Sequence, residues 1–328
     1  MFPFTLERPG DTDSAARLGS APSAEYIAGG TDMMQLLTDE IRQPEHLVAL
    51  DGVLDDRIEA APGGTLRLGA AAKMSDIAAD PDVSRAFPAI AEALLLSASG
   101  QVRNMATIGG NLLQRTRCPY FRDPGVSACN KRYPGSGCAA MDGANRTHAV
   151  LGGSAHCIAT HASDVAVALV ALDAEIHVLG SNGGRVVPLD ELHRLPGETP
   201  HLETVLEPGE LITAVVVPPS PAARHSHYLK VRDRVSFEFA LTSAAVALDV
   251  DDGTIREARV AVGGVGTKPW RLRTVENALT GRIDDVDSYR AAAEHATEGA
   301  VTRAGNRFKL ELMKRTIVRA LREAGGRS

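Results

Sequence analysis

Four cysteines are the residues of this sequence whose type and spacing best suit metal chemistry. They are Cys118, Cys129, Cys138 and Cys157, and the rest of the 328-residue chain contains no other cysteine. Cysteines that only fill a core would be expected to scatter along a chain. Their confinement to one segment therefore favours a shared role.

The spacing of these cysteines, Cys-x10-Cys-x8-Cys-x18-Cys, leaves four interpretations open. Zinc sites usually contain close Cys-x2–4-Cys pairs, which this chain lacks. Disulfides require an oxidising compartment, and we see no export signal in the sequence. A four-cysteine iron–sulfur cluster tolerates wide spacing when a loop folds around it. Unrelated free thiols are the fourth possibility.

The cysteines lie in a segment, residues 115–160, that is rich in Gly, Pro, Asn and Arg and shows no clear periodicity. A loop of this length inside a compact domain needs a physical reason, and a bound cluster would supply the missing cross-links. The segment carries six basic residues, which would raise the potential of a negatively charged cluster or would simply be solvated. They are Arg115, Arg117, Arg122, Lys131, Arg132 and Arg146. We assign no role to Asn130, His148 or His156.

Two glycine turns could hold a phosphate group. Residues 28–32 (AGGTD) join a predicted strand to a predicted helix, and residues 108–111 (IGGN) form a second turn. Glycines there let the backbone approach a ligand and expose N–H groups at a helix N-terminus. Neither turn matches the G-x-G-x-x-G pattern or the phosphate-binding loop, so an ordinary turn is the more common explanation for each one taken alone.

The elements that must position these residues form three successive groups, which together predict an α+β fold. Residues 1–60 read as β–α–β–turn–α–β, an order typical of parallel pairing. A second group contains strands at 65–68 and 175–179 and helices at 74–79, 88–97 and 164–171. The last group contains strands at 228–231, 240–248 and 255–262, a hairpin turn at 251–253, and three helices ending with 308–324.

Composition excludes several classes of function. The chain is 44% hydrophobic and 23% charged, with a net charge of −6, which gives no reason to expect nucleic acid or an anionic membrane as a partner. No run of about 18 apolar residues is present. The N-terminus lacks a basic start followed by an apolar stretch. We therefore expect a cytoplasmic location by default, with the periplasm open if a partner subunit carries an export signal.

Residues 26–33, 101–112 and 163–164 resemble the FAD-binding subunits of the xanthine dehydrogenase family of molybdenum hydroxylases. The resemblance extends over nearly the whole chain and implies the flavin fold shared with vanillyl-alcohol oxidase (PCMH-type). It implies an FAD-binding domain at 1–218, with sublobes at about 1–58 and 59–218 and the cysteine segment at 115–160. Residues 224–328 would form a C-terminal lobe of antiparallel sheet and helices, similar to that of CO dehydrogenase flavoproteins.

The resemblance also implies which residues bind FAD. Residues 26–33 would wrap the pyrophosphate, with a second wall opposite. Asp164 would accept a hydrogen bond from a ribityl or ribose hydroxyl, Ile212 would pack on the flavin, and Lys230 would lie near the isoalloxazine. Without the family these three read as a helix cap, a core residue and a solvated strand residue. The expected phosphate-side residues are Tyr26, Ile27, Ala28, Gly29, Gly30, Thr31, Asp32, Met33, Thr107, Gly110 and Asn111.

Residues 117–123 (RCPYFRD) are most similar to the middle subunit of bacterial periplasmic-type aldehyde oxidoreductases. That subunit, like those of 4-hydroxybenzoyl-CoA reductases, carries a 4Fe–4S cluster in an inserted loop, so the resemblance implies that the four cysteines bind one. It further implies an electron-transfer role with no catalytic triad, a large molybdenum-cofactor partner, a small 2Fe–2S partner and an external acceptor. A subunit of an aryl-CoA reductase and a flavin-free iron–sulfur scaffold are the alternatives.

Overall fold

Three separate sheets organise the chain in this computed structural model, which describes residues 1–61 and 63–326. The first sheet is wholly parallel with strand order β1-β3-β2, as the β–α–β–turn–α–β pattern predicted. Its elements are β1 (Thr5–Glu7), α1 (Thr12–Gly19), β2 (Ala24–Ile27), α2 (Met33–Thr38) and β3 (His46–Ala49). Its small core includes Leu211 of a later strand, so this unit packs directly on the second one.

The second sheet has five antiparallel strands in the order β4-β5-β8-β6-β7. These strands are β4 (Ile58–Ala60), β5 (Leu66–Gly69), β6 (Glu175–Gly180), β7 (Gly183–Pro188) and β8 (Leu211–Val217). The sequence predicted only two of the five. The missed β8 is central to the sheet and brings Ile212 into it.

Eight helices accompany this second sheet within the described residues. Every residue of α9 is buried, because it packs against the strands of the third sheet as well as against α5. The helices are α3 (Met74–Ala79), α4 (Pro81–Ala86), α5 (Pro88–Leu95), α6 (Gly100–Met105), α7 (Ile108–Leu112), α8 (Pro119–Arg122), α9 (Asp164–Ala171) and α10 (Leu189–Leu192).

The third sheet is an antiparallel meander in the order β12-β11-β10-β9, flanked by helices, as predicted for the C-terminal lobe. Asp252 and Gly253 both have positive φ, the combination that closes a two-residue hairpin between β10 and β11. The elements are β9 (Ser226–Val231), β10 (Thr242–Asp251), β11 (Thr254–Gly263), β12 (Trp270–Arg271), α11 (Arg273–Leu279), α12 (Val286–Ala293) and α13 (Phe308–Ala324). Short 3-10 helices occupy Pro221–His225 and Glu294–Thr297.

Strand β10 separates the two largest hydrophobic cores. Because side chains alternate along a strand, Ala245 and Ala247 join the core of the second unit while Ala244, Val246 and Leu248 join that of the third. A strand buried on both faces reads as a continuous apolar run, which is how 240–248 appears in the sequence.

The cysteine segment connects α7 to α9 and contains little regular structure. Helix α8 and two isolated β-bridges, Cys129–Cys138 and Leu151–Gly266, are its regular features among the described residues. The prediction of an irregular segment is therefore confirmed. Across residues 1–61 and 63–326, we find no helix with the length and apolarity needed to cross a membrane.

Candidate functional site

The four cysteines line a single small pocket, together with the aromatic rings of Tyr120 and Phe121. All four are free thiols; Cys129 and Cys157 are buried, and Cys118 and Cys138 are partly buried. Residues separated by up to 39 positions in the chain thus meet at one place. Four thiols around one cavity are the donor set that a four-cysteine iron–sulfur cluster requires.

The protonation of the cysteines follows from their surroundings. In the part of the chain that the structure describes, no group of three or more His, Cys, Asp or Glu side chains is arranged to hold a single metal ion. Burial raises the pKa of Cys118 to about 12 and also raises the pKa of Cys157. Thiols in such surroundings stay protonated and unreactive unless a metal centre takes their protons. In this structure the four cysteines are therefore neutral, unreactive thiols that share one pocket.

Five of the six basic residues of the segment are partly buried, so the interpretation of the set as a solvated loop fits only Arg146. Arg132 donates to the carbonyl oxygens of Phe121 (2.7 Å) and Asp123 (2.8 Å), which shapes the turn around the pocket. Lys131 donates to Pro200 O (2.9 Å) and pairs with Glu203, which also pairs with Arg115. Arg146 differs from these residues, because its side chain is 53% exposed and pairs with Asp233 at the surface.

The Asp32 carboxylate joins the first glycine turn to the cysteine segment. It accepts hydrogen bonds from the backbone N–H of Arg115 (2.7 Å) and from the guanidinium groups of Arg117 (2.6 Å) and Arg122 (2.8 Å). Its side chain is only 16% exposed. Any contact between this turn and a pyrophosphate is therefore left to the backbone N–H groups, because the carboxylate is already engaged.

The first glycine turn packs against the end of α6, just before the second turn. Gly30 has φ +71°, a conformation that side chains with a Cβ rarely adopt. A Cβ on Gly29 would lie 1.9 Å from the carbonyl oxygen of Met105, at the end of α6. The second turn begins immediately afterwards, where the Thr107 hydroxyl accepts the Gly110 N–H (3.2 Å) and caps α7. The two turns, far apart in sequence, therefore lie close together in the fold.

A buried ion pair forms the second part of the site. The Lys230 ammonium on β9 lies 2.8 Å from Asp164 Oδ2 at the start of α9, and the Lys230 side chain is 2% exposed. Asp164 also accepts from the hydroxyls of Tyr228 (2.6 Å) and Ser97 (3.1 Å). The cap of α9 is Ser163, whose side chain accepts the Ala166 N–H. From the sequence alone, Asp164 was expected to cap the helix and Lys230 to be solvated. Both expectations are wrong.

Three further expected site residues have structural partners. Ile212 is 3% exposed and belongs to the core of the second unit. The Asn111 side-chain oxygen accepts the Ser163 hydroxyl at 2.5 Å. The Tyr26 hydroxyl donates to Gly209 O (2.8 Å), and burial raises its pKa to about 12. The backbones of Ile27, Ala28, Thr31 and Met33 continue the first turn from β2 into α2.

Three histidines with no assigned role in the sequence lie close to this centre. His148 Nε2 is 3.2 Å from Cys118 Sγ, and burial lowers the pKa of His148 to about 4. His161 and His193 approach to 3.1 Å between their Nε2 atoms, in the wall of a larger pocket of about 550 Å³ that Cys157 also lines. Burial lowers the pKa of both. No sequence signal marks these histidines, because their partners are distant in the chain.

Comparison with known proteins places this geometry in a family. Residues 2–220 match the model of the FAD binding domain in molybdopterin dehydrogenase, and residues 195–324 match that of the CO dehydrogenase flavoprotein C-terminal domain. Quinoline 2-oxidoreductase from Pseudomonas putida is similar in structure, with a TM-score of 0.76 and 26% identity, covering 100% of this chain and 99% of that chain.

Two curated relatives extend the comparison. The chain is 46% identical over 327 residues to the aldehyde oxidoreductase FAD-binding subunit of Escherichia coli, covering 99% of both proteins. It is 25% identical to the carbon monoxide dehydrogenase medium chain of Hydrogenophaga pseudoflava, covering 96% of this chain and 94% of the relative. With its two matching domains and the 46%-identical relative, the chain belongs to the FAD-binding oxidoreductase subunits of the xanthine dehydrogenase and molybdenum-containing aldehyde oxidoreductase family.

Proposed function

We propose that this chain is the FAD- and 4Fe–4S-carrying electron-transfer subunit of a molybdenum-containing aldehyde oxidoreductase. The observation that carries the proposal is the convergence of Cys118, Cys129, Cys138 and Cys157 on one pocket. The aldehyde would be oxidised on a large molybdenum-cofactor partner, and electrons would pass through a small 2Fe–2S partner and this subunit to an external acceptor. The 46%-identical relative named as an aldehyde oxidoreductase subunit supports the reaction class.

For FAD, the residues present fit the group. Bound flavin supplies the one- and two-electron redox chemistry, while the protein binds and orients it. The backbone of residues 26–33 and of Thr107, Gly110 and Asn111 would hold the pyrophosphate, since the first turn packs against the residues that lead into the second. Ile212 would pack on the ring and Lys230 would lie near it.

Asp164 retains the capacity to bind a cofactor hydroxyl. An ionised carboxylate has about four lone-pair sites for hydrogen bonds. Ser97, Tyr228 and Lys230 donate to three of them in this structure. One acceptor site therefore stays available for a ribityl or ribose hydroxyl, which is the role proposed for this residue.

For the cluster, the cysteines supply a complete set of ligands and the surrounding segment supplies the framework. The guanidinium of Arg132 fixes the backbone on one side of the pocket, and the Cys129–Cys138 bridge fixes it on the other. Ligation would contribute to the order of a segment that has little regular structure of its own.

We further propose a heterotrimeric unit with the large and small subunits. The unit would be cytoplasmic unless a partner carries it to the periplasm. The test is to purify the native complex and measure its visible spectrum, its iron and flavin per chain, and the low-temperature EPR spectrum of the reduced protein. A flavin spectrum with a broad cluster shoulder, and about four iron atoms per chain beyond those of the 2Fe–2S partner, are expected from the ligand count. Bound zinc, or a flavin-free brown protein, would contradict the proposal.

A further inference from the structure

His148 is the one histidine, among the described residues, that hydrogen-bonds a cysteine sulfur, with its Nε2 3.2 Å from Cys118 Sγ. It is 2% exposed and lies inside the cysteine segment, nine residues before Cys157. Its backbone is held from both sides: its N–H donates to Asn145 O, and its carbonyl accepts from the Asn306 side chain, just before α13. The ring position is thus fixed by the C-terminal lobe as well as by the segment.

The surroundings of the other ring nitrogen, Nδ1, indicate which of the two nitrogens carries the proton of the neutral imidazole. His148 Nδ1 is buried and has no hydrogen-bond partner. A neutral imidazole has one donor and one acceptor nitrogen. With the proton on Nδ1, a buried N–H would be unpaired, and the Nε2 lone pair would face the lone pairs of a ligating thiolate. With the proton on Nε2, the N–H donates to sulfur, and only an acceptor lone pair is left without a partner.

We infer that His148 Nε2–H donates a hydrogen bond to the Cys118 thiolate and thereby raises the reduction potential of the cluster. The inference rests on the proposed 4Fe–4S function. Hydrogen bonds to the sulfurs of a cluster are among the factors that set its potential. Reduction adds negative charge, part of which resides on the sulfurs, so a donor stabilises the reduced form more than the oxidised form. His148 is accordingly a tuning residue and not a ligand.

The experiment compares His148→Leu, which removes the donor, with His148→Gln, which keeps a side-chain N–H. His156→Leu is the matched control, because His156 is an exposed histidine of the same segment whose hydrogen bonds run through its backbone. In the native complex we expect all three variants to retain iron. The midpoint potential, followed by EPR during a redox titration, should fall in His148→Leu, fall less in His148→Gln and match the wild type in the control.

An unchanged potential in a fully iron-loaded His148→Leu complex overturns the inference and leaves the proposed cluster intact. A wild-type complex without iron in this subunit overturns both. If His148→Leu loses its iron, its potential cannot be compared, and a measurement on the wild-type complex tests the hydrogen bond instead. With 15N introduced only in histidine, pulsed EPR of the reduced cluster should detect a coupled histidine nitrogen that His148→Gln removes and His156→Leu retains. Absence of this coupling in the wild type contradicts the hydrogen bond.

Discussion

At the scale of single residues, the pair of Asp164 and Lys230 has the clearest energetic consequence. Both side chains are more than nine-tenths buried, so removing the lysine leaves an uncompensated carboxylate in the interior. Breaking a buried pair from one side typically costs about 3–5 kcal/mol. We therefore expect Lys230→Met to lower the free energy of unfolding by about that amount. Urea denaturation of the flavin-free chain measures it.

The double variant Lys230→Met with Asp164→Asn is the control for that measurement. Because it removes both charges, it should recover part of the lost stability, and the difference gives the coupling energy of the pair. Equal stability of the wild type and Lys230→Met would show that Ser97 and Tyr228 are sufficient to hold the carboxylate.

Valine substitutions at Gly30 and Gly52 separate the effect of backbone strain from a direct effect on FAD binding. Gly30 and Gly52 have nearly the same positive φ, +71° and +73°, so a β-branched residue strains both backbones alike. Only Gly30 belongs to the turn expected to hold the pyrophosphate. We expect Gly30→Val to abolish FAD binding and Gly52→Val to retain it, measured as flavin per folded chain. Normal flavin content in a folded Gly30→Val protein would remove this turn from the binding site.

The role of a residue could be predicted only where its type and its neighbours in the sequence were sufficient to indicate it. The four cysteines stand out by type and clustering, whereas His148 is 30 positions from Cys118 and carries no such signal. For Asp32, the local sequence suggested a role that its distant partners in the fold do not support. Its position in the glycine turn suggested a phosphate-side role, while its actual partners, Arg117 and Arg122, lie in a different segment.

At the scale of elements, the contact of Asp32 with the cysteine segment couples the two cofactor regions. Asp32→Asn removes the charge that holds Arg117 and Arg122 beside the first turn. Hydrogen bonds to charged groups contribute about 1.5–3 kcal/mol each. We expect the variant to lose FAD on dilution at least tenfold faster than the wild type, since about 1.4 kcal/mol corresponds to a factor of 10. Flavin fluorescence released over time measures this rate.

Asp39→Asn is the matched control, because Asp39 is exposed at the other end of α2 and lacks contact with the cysteine segment in the described hydrogen bonds. It should release FAD at the wild-type rate. Equal release rates for Asp32→Asn and the wild type would mean that the first turn keeps its shape without the segment.

The elements themselves were predictable to different degrees. Helices α3, α9 and α13 have the predicted bounds, because α9 is a continuous apolar run and α13 a long amphipathic one that the sequence shows directly. Strands β7 and β8 were missed. β7 is exposed at most of its positions and contains two glycines, so it has little strand signal, and β8 pairs with β5 and β6 over long sequence separations. Sheet order of this kind is determined by tertiary packing, which local patterns do not contain.

At the scale of the whole molecule, the cysteine segment contacts both predicted domains. Arg146 pairs with Asp233, Val150 donates its N–H to Val265 O, and Val301 donates to Val150 O. The proposed domains at 1–218 and 224–328 are therefore in extensive contact. Strand β10 contributes side chains to both large hydrophobic cores. The α+β class was predictable from composition and element order, but this dependence of one lobe on the other was not.

The cysteine variants test the proposed centre of the molecule most directly. Four thiolates are what a 4Fe–4S cluster requires, so replacing any one of Cys118, Cys129, Cys138 or Cys157 by serine should remove most of the iron of this subunit. The segment would then lose the ligation that orders it. Amide hydrogen exchange between α7 and α9 should accelerate, with the largest change around the pocket. FAD should be retained in part, because the packing of Gly29 on Met105 does not involve the segment.

The exposed Ser127 lies two residues from Cys129, and Ser127→Ala should keep the iron, the EPR signal and the slow exchange of the wild type. Removing iron from the wild type with a chelator should reproduce the exchange pattern of the cysteine variants, since both treatments remove the same ligand bonds. Full iron and an intact cluster signal in all four serine variants would refute the assignment. Loss of iron in three variants but not in the fourth would identify a centre with only three cysteine ligands. In that case His148, already 3.2 Å from Cys118 Sγ, would be the first side chain to examine as the replacement ligand.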